Sequence, residues 1–177
     1  MGVDDELASK LNPVGGREAE AAVTVILRPS QGGVEILLVR RAQNPRDPWS
    51  GDIAFPGGRR RGGEPLMETA IREALEEIGV DLHRCRVLGT LEIASSFRAP
   101  GLRVLPFVYL CEENLTVRLG EELSEYFWVP LDELEGSRGR AVVGGVEVPA
   151  FILDRGVVWG LTYRMLEDLL GRIGGSP

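Results

Sequence analysis

Residues Gly57 to Val80 read GGRRRGGEPLMETAIREALEEIGV, and the rest of the chain is arranged around them. From Pro65 to Ile78 the apolar side chains Met67, Ala70, Ile71, Ala74, Leu75 and Ile78 recur at helical spacing. Glu73, Glu76 and Glu77 fall on a different face of that helix. Three like charges within a turn repel one another and cost helix stability. A helix needing only solubility would intersperse Lys. The cluster suits a hard divalent cation such as Mg²⁺, held by oxygen ligands and retained water. Arg72 stands beside the acids, where its planar fork can fix one carboxylate. The Gly57-Gly58 pair suits a backbone that bends sharply and whose carbonyls can face a metal. A solvated acidic helix accounts for the carboxylates alone, but not for the spaced glycines together with Arg72.

The chain has 177 residues, which predicts one domain with a sizeable core. Its 44% hydrophobic and 27% charged content is that of a globular protein. A net charge of −7 argues against a protein that coats nucleic acid polymers. The basic residues are Arg except for a single Lys, Lys10. Cys85 and Cys111 are the only cysteines, and both adjoin apolar runs, so buried free thiols are expected. Two cysteines cannot build a four-thiolate zinc site. His83, the only histidine, sits in an ordinary polar turn, which leaves little room for Ser-His-Asp or Cys-His chemistry. The first ten residues carry Asp4, Asp5 and Glu6 and no apolar core segment, unlike a signal peptide. No apolar run approaches the ~18 residues that cross a bilayer. A cytoplasmic protein, not associated with membranes, is expected.

In chain order, residues 1–20 predict a short helix or loose arm, and 21–177 a single domain. Ala21 to Arg28 reads as a strand ended by Pro29 and the Gly32-Gly33 turn, pairing as a hairpin with Val34 to Arg41. A loop follows to Ser50. After the helix come a strand from Arg86 to Ile93, a loop to Gly101, and a long strand from Leu102 to Cys111. Pro106 places that last strand at an edge or a bulge. Leu115 to Leu119 is a weaker strand. Tyr126 to Val129 is a short one, and Leu131 to Leu134 starts a helical turn. Gly144-Gly145 marks a hairpin within Val142 to Leu153. Leu161, Met165, Leu166, Leu169 and Leu170 mark an amphipathic C-terminal helix.

Gly58, five residues, Glu64, seven residues, then Arg72-Glu73-Ala74-Leu75-Glu76-Glu77-Ile78-Gly79-Val80 resembles the Nudix box, with every fixed letter in place. The one departure is Ala74, a packing position where the pattern favours Ile, Leu or Val. The resemblance implies an α/β fold, an α/β/α sandwich around a mixed β-sheet. It implies hydrolysis of a pyrophosphate linked to another group, with Mg²⁺ or Mn²⁺ and water, acting on a small-molecule diphosphate. Carried over by position, Glu76 and Glu77 are metal ligands. Glu73 ligates metal and helps deprotonate the water, Arg72 orients Glu73, and the Gly57 carbonyl is the backbone ligand. Glu64 is the supporting acid, with Gly58 and Gly79 as structural positions. A further acid from a later loop is expected, with Glu122 and Glu125 as candidates. A homodimer is compatible with the resemblance.

The stretch before the box resembles that of the coenzyme A pyrophosphatase branch: Leu37-Leu38-Val39-Arg40-Arg41-Ala42, then Arg46, then Gly51 to Gly58 with Phe55-Pro56-Gly57-Gly58. Val39 replaces the usual Thr, and one extra residue separates Arg46 from Gly51. The run Val157 to Thr162 is also similar to that branch. Between Arg40 and Gly63 six Arg stand against two Asp, a local positive patch in an acidic chain. Arg40, Arg41, Arg46 and Arg59 are the expected contacts for outer phosphates. The expected reaction is cleavage of coenzyme A to 3′,5′-ADP and 4′-phosphopantetheine. The alternatives are ADP-ribose, dinucleotides or oxidised nucleoside triphosphates, or a non-catalytic ligand-binding module.

Overall fold

A computed structural model describes residues 2–112 and 114–174. The elements run α1 (Val3–Ser9), β1 (Ala21–Ser30), β2 (Gly33–Arg41), β3 (Ile53–Ala54), β4 (Gly57–Arg59), α2 (Leu66–Ile78), β5 (Arg86–Thr90), β6 (Ala94–Ser95), β7 (Arg103–Leu110), β8 (Leu123–Pro130), α3 (Leu131–Gly136), β9 (Arg138–Val143), β10 (Val146–Leu153), β11 (Gly156–Trp159) and α4 (Gly160–Gly174). A single 3₁₀ turn at Leu82–Arg84 follows α2.

Among the described residues, eight strands form one mixed sheet around the path β3-β2-β1-β7-β5, with β4 beside β1, β6 beside β7 and β8 beside β2. β1 and β7 are parallel, while β1 and β2 form the expected antiparallel hairpin. Alternation along the strands divides the core in two. Ala22, Ile26, Leu37, Val39, Leu105, Phe107 and Tyr109 face α2 and its Ala70, Ala74 and Ile78. Val25, Leu27, Ile36, Leu38, Val104 and Val108 face the other way, onto α4 and the β9–β11 sheet. The expected mixed sheet with flanking helices is therefore present, and the strands are buried on both faces, as such layering requires.

Several expectations are corrected in detail. β7 is not an edge strand; it lies between β1 and β5. Pro106 is tolerated because β5 and β6 leave a gap opposite it, where its carbonyl accepts from Leu91 N at 3.0 Å and no ladder donor is needed. The bulge lies instead in β5, between Val87 and Gly89. β1 runs through Pro29 to Ser30. Leu115 to Leu119 forms no strand, and the C-terminal region carries an unforeseen strand, β11. Leu75, expected on the apolar face of α2, is 56% exposed.

Cys85 and Cys111 are not free thiols but a disulfide, 26 residues apart in sequence. They extend the β5–β7 register one step beyond Arg86↔Leu110. Directly opposite positions in an antiparallel pair bring the two Cα atoms to 4.6 Å, within bridging distance. Among the described residues no helix is long and apolar enough to cross a membrane.

Candidate active site

α2 begins after Pro65 and ends at Gly79, which adopts φ 66° as a left-handed C-cap. Its last carbonyls, orphaned by helix geometry, are taken up by a later segment: Arg118 N donates to Ile78 O at 2.9 Å and Gly120 N to Glu77 O at 2.8 Å. The acidic loop is thereby tied to the end of the helix that carries the box acids.

β4 runs antiparallel to β1 with Ala22 opposite Gly58. Thr24 N donates to Pro56 O and Arg60 N to Glu20 O, so Gly57 and Arg59 fall at the intervening positions and turn their peptide groups outward. Gly57 N donates to Glu77 Oε2 at 3.1 Å, and Arg59 O accepts from Arg72 Nη2 at 3.2 Å. The Gly57 carbonyl opens on that same edge. No side chain fits at Gly57, because a Cβ would stand 2.4 Å from Ala22 O.

Arg72 is the centre of a buried-edge network. Its Nη2 and Nε donate to the two oxygens of Glu64 at 2.6 and 3.2 Å, and its Nη1 donates to Glu73 Oε1 at 2.8 Å. Glu64 also accepts from Arg61 N and Thr69 Oγ1, both at 2.9 Å. Hydrogen bonds from Arg72, then from Arg61 N, hold its carboxyl down at about 2. Glu64 is thus a fixed anion that anchors Arg72, and Arg72 fixes Glu73.

Glu77 is only 5% exposed. Burial is the main reason its carboxyl is pushed up to about 8; the charges of Glu73 and Glu122 push the same way, against the Gly57 N–H and Arg41. A buried carboxylate repelled by two others is a site that a cation relieves.

The expected trio of acids is divided. On a helix, i and i+4 share a face, while i+3 falls on the other side of i. Glu73 and Glu77 accordingly line the cleft, and Glu76 is exposed and turned toward Arg61 at 3.3 Å and Arg72 at 3.6 Å. Among the described residues no three acidic, His or Cys side chains stand close enough together to hold a metal ion unaided. Gly57, Glu73, Glu77 and Glu122 all line the same cleft.

Glu125 is elsewhere. On β8 it pairs with Arg40 Nε at 3.1 Å and Arg155 Nη1 at 2.6 Å, and these partners hold its carboxyl below the usual range. Arg40 also donates to Gly51 O at 3.3 Å and to Arg155 O, so it braces β2, β8 and the β10–β11 turn outside the cleft. Arg46 is exposed and does not line it. Arg41 and Arg59 do line the cleft, Arg41 with its Nε 2.6 Å from Asp47. Arg60 and Arg61 pair with Glu18 and Glu76. Four of the six Arg of the expected positive patch are therefore paired, Arg41 with Asp47 of the same segment and Arg40, Arg60 and Arg61 with acids from outside it. Val39, the departure from the branch pattern, is 1% exposed and packs in the α2 core, so the substitution alters packing. His83 is a surface residue whose Nδ1 lies 3.0 Å from Asp81.

The cleft has a volume of about 370 Å³ and extends well beyond the acids. Its lining also includes residues that the sequence did not mark as site residues: Asp52, Phe97, Arg98, Trp159 and Arg164. Arg98 Nη1 reaches Asp52 Oδ2 at 3.0 Å and Pro48 O at 2.8 Å, and its guanidinium lies 4.3 Å from the Trp159 ring centroid. Burial raises the Asp52 pKa, against Arg98 and Trp159. The one local clue was an aromatic-Arg pair inside the Pro- and Gly-bounded loop SSFRAPG.

The NUDIX domain model matches residues 18–145. The Nudix hydrolase NudL of Salmonella paratyphi B is 31% identical over 176 residues, covering 91% of this chain and 85% of its own. An Ap4A hydrolase from C. elegans, solved as a binary complex, superposes with a TM-score of 0.55 at 25% identity, over 64% of this chain and 81% of that one. A MutT/nudix family protein from Enterococcus faecalis superposes with a TM-score of 0.58 at 18% identity, over 92% of this chain and 64% of that one, a likeness of fold. The box geometry, the matched domain and the shared length agree: this chain belongs to the Nudix hydrolases and is a pyrophosphatase.

Proposed function

We propose that the chain hydrolyses the diphosphate of coenzyme A or a related nucleoside diphosphate derivative, releasing 3′,5′-ADP and 4′-phosphopantetheine from coenzyme A. The observation that carries this reading is a cleft with two unlike kinds of lining. The acids Glu73, Glu77 and Glu122 line it together with an apolar and aromatic set, Leu102, Val104, Trp159 and Met165. A long substrate with a charged middle and a less polar arm fits such a site. The stretch before the box supports the branch through scaffold positions: Phe55 and Gly57 line the cleft, and outside it Arg40 donates to the Gly51 carbonyl.

Nudix hydrolases typically depend on a divalent metal. Glu73, Glu77 and the Gly57 carbonyl would hold Mg²⁺ or Mn²⁺ here, with Glu122 and then Glu76 completing the shell through water. A bound divalent ion neutralises the diphosphate and lowers the pKa of water. Glu73, oriented by Arg72, accepts the proton of the attacking water, and Glu122 is the second acid within reach of the reacting region. Arg59, exposed at the cleft edge, takes an outer phosphate; Arg41 serves from its place beside Asp47.

A second reading is cleavage of a dinucleotide, favoured by the similarity to the C. elegans Ap4A hydrolase. Measuring kcat/KM for coenzyme A, dephospho-coenzyme A, ADP-ribose and diadenosine tetraphosphate side by side, with product analysis, tests both. The expected order puts coenzyme A first. A clear preference for ADP-ribose or the dinucleotide removes the branch assignment and leaves the Nudix chemistry in place.

A further inference from the structure

Phe97 is 86% exposed, the most exposed of the large apolar side chains among the described residues. It belongs to neither core cluster. Packing therefore gives no reason for a phenyl ring at that position, and its hydration is unfavourable. Yet the ring is held in place. Arg164 of α4 sets its guanidinium 4.6 Å from the ring centroid and donates to Ser95 O. The Arg164 Nε is buried with no hydrogen-bond partner among the described residues.

The loop that carries the ring is pinned on both sides. Ser96 N donates to Leu102 O at 2.9 Å, Leu102 N to Ala99 O at 3.0 Å, and Ala99 N to Ser96 Oγ at 3.2 Å. Arg98 is committed to Asp52, Pro48 and Trp159, so it is a strut between three segments and is not available to grip phosphate. One face of Phe97 is thus covered by a cation, and the ring is presented at the rim of the cleft that holds the acids. A flexible aliphatic arm is already served by the Leu102, Val104 and Met165 wall. A flat π surface backed by a guanidinium matches a flat, polarisable partner.

We propose that Phe97, backed by Arg164, is the specificity-determining platform on which the planar heteroaromatic ring of the substrate, a nucleobase, stacks. The proposal rests on the reading of this cleft as a diphosphate hydrolase site. It adds that the base end lies at the 96–101 loop, so the ribose leads from that loop toward the scissile diphosphate at the α2 acids.

Equilibrium binding to the full chain, without added metal, tests this with adenosine 5′-monophosphate, ribose 5-phosphate and 4′-phosphopantetheine as probes. Adenosine 5′-monophosphate is expected to bind the wild type more tightly than ribose 5-phosphate. Phe97→Ala and Phe97→Leu are expected to weaken the adenylate at least about fivefold, the lower end of the effect of losing one base–aromatic stack, and to leave ribose 5-phosphate unchanged. Phe97→Trp is expected to retain wild-type affinity. Equal adenylate affinity in all variants, or no advantage of adenylate over ribose 5-phosphate in the wild type, overturns the proposal. So does weakening of 4′-phosphopantetheine in place of adenylate, which would put the other arm at this wall. Binding needs no turnover, so failure of coenzyme A cleavage and failure of this platform are seen in separate experiments.

Discussion

The Glu73 carboxylate occupies the space that a side chain on Gly58 would need: a Cβ there would lie 2.6 Å from both Glu73 Cδ and Oε1. The glycine is required by the acid, not by its own backbone angles, since its φ is not in the left-handed region. Gly58→Ala is therefore expected to displace Glu73 from Arg72. The group displaced is the tip of a flexible side chain, so the stability cost is at the low end for overpacking, about 1 kcal/mol. A larger effect is expected on turnover, with kcat falling while the melting temperature moves by only a few degrees. Near wild-type kcat in a folded Gly58→Ala variant would remove Glu73 from the reaction.

Glu77 links metal-free stability to pH. Its folded-state pKa of about 8 stands above the ordinary carboxylate value, so the folded protein binds the extra proton between about 4.5 and 8. Its contribution to metal-free stability accordingly falls as pH rises through that window, by an amount on the order of a few kcal/mol. Glu77→Gln is expected to remove this slope and to be more stable than wild type near pH 8. The same variant is expected to lose at least about a hundredfold in kcat/KM. Denaturant titrations of both proteins at pH 5 and pH 8 check the first point, and Mg²⁺-saturated kinetics check the second.

Glu122 and Glu125 are three residues apart and predict opposite phenotypes. Glu122→Gln is expected to lower kcat with little change in stability. Glu125→Gln breaks a partly exposed pair of salt bridges and is expected to cost about 1 kcal/mol while kcat/KM is preserved. Measuring chemical denaturation and kinetics on both variants separates the two roles. A kcat loss confined to Glu125→Gln would reverse the assignment.

The disulfide closes a loop between Cys85 and Cys111, and the chain-entropy effect of a loop this long is about 3–4 kcal/mol. Reduction, or the Cys85→Ser/Cys111→Ser pair, is expected to lower the unfolding midpoint by a corresponding amount. Alkylation followed by mass measurement on protein purified without reductant reads the pairing directly.

Most of the scaffold was legible because it rests on local periodicity. The α2 repeat, the β1–β2 hairpin, whose turn falls one residue earlier than expected at Gln31-Gly32, the Gly144-Gly145 hairpin and the leucines of α4 each announce themselves within a dozen residues. What escaped was set by register and pairing over long separations. Pro106 argued for an edge, but a gap between β5 and β6 accommodates it in the interior. Cys85 and Cys111 adjoin apolar runs as buried thiols do, and only the β5–β7 register places them opposite one another. The Arg-rich segment read as a phosphate patch because its neutralising partners, Glu18, Glu76 and Glu125, are distant in sequence or on another face. At the acids, spacing identified the helix but not the division of labour. Whether Glu76 or Glu77 turns inward depends on how α2 rests on β1 and β4.

The capping of α2 by Arg118 and Gly120 fixes where the chain tolerates change in length. Cys111 is held at one end by its disulfide and Arg118 at the other by the helix, and the described residues between them form no strand. An insertion at exposed Asn114, ahead of Leu115 and Val117 that pack against the α2 core, would be absorbed as slack. A single residue added between Gly120 and Glu122 would instead shift the acid by about 3.3 Å along the chain, enough to take it out of reach of the Glu77 edge. The helix end thus acts as a ruler for the following loop, and the distance it measures is the one from cap to carboxylate.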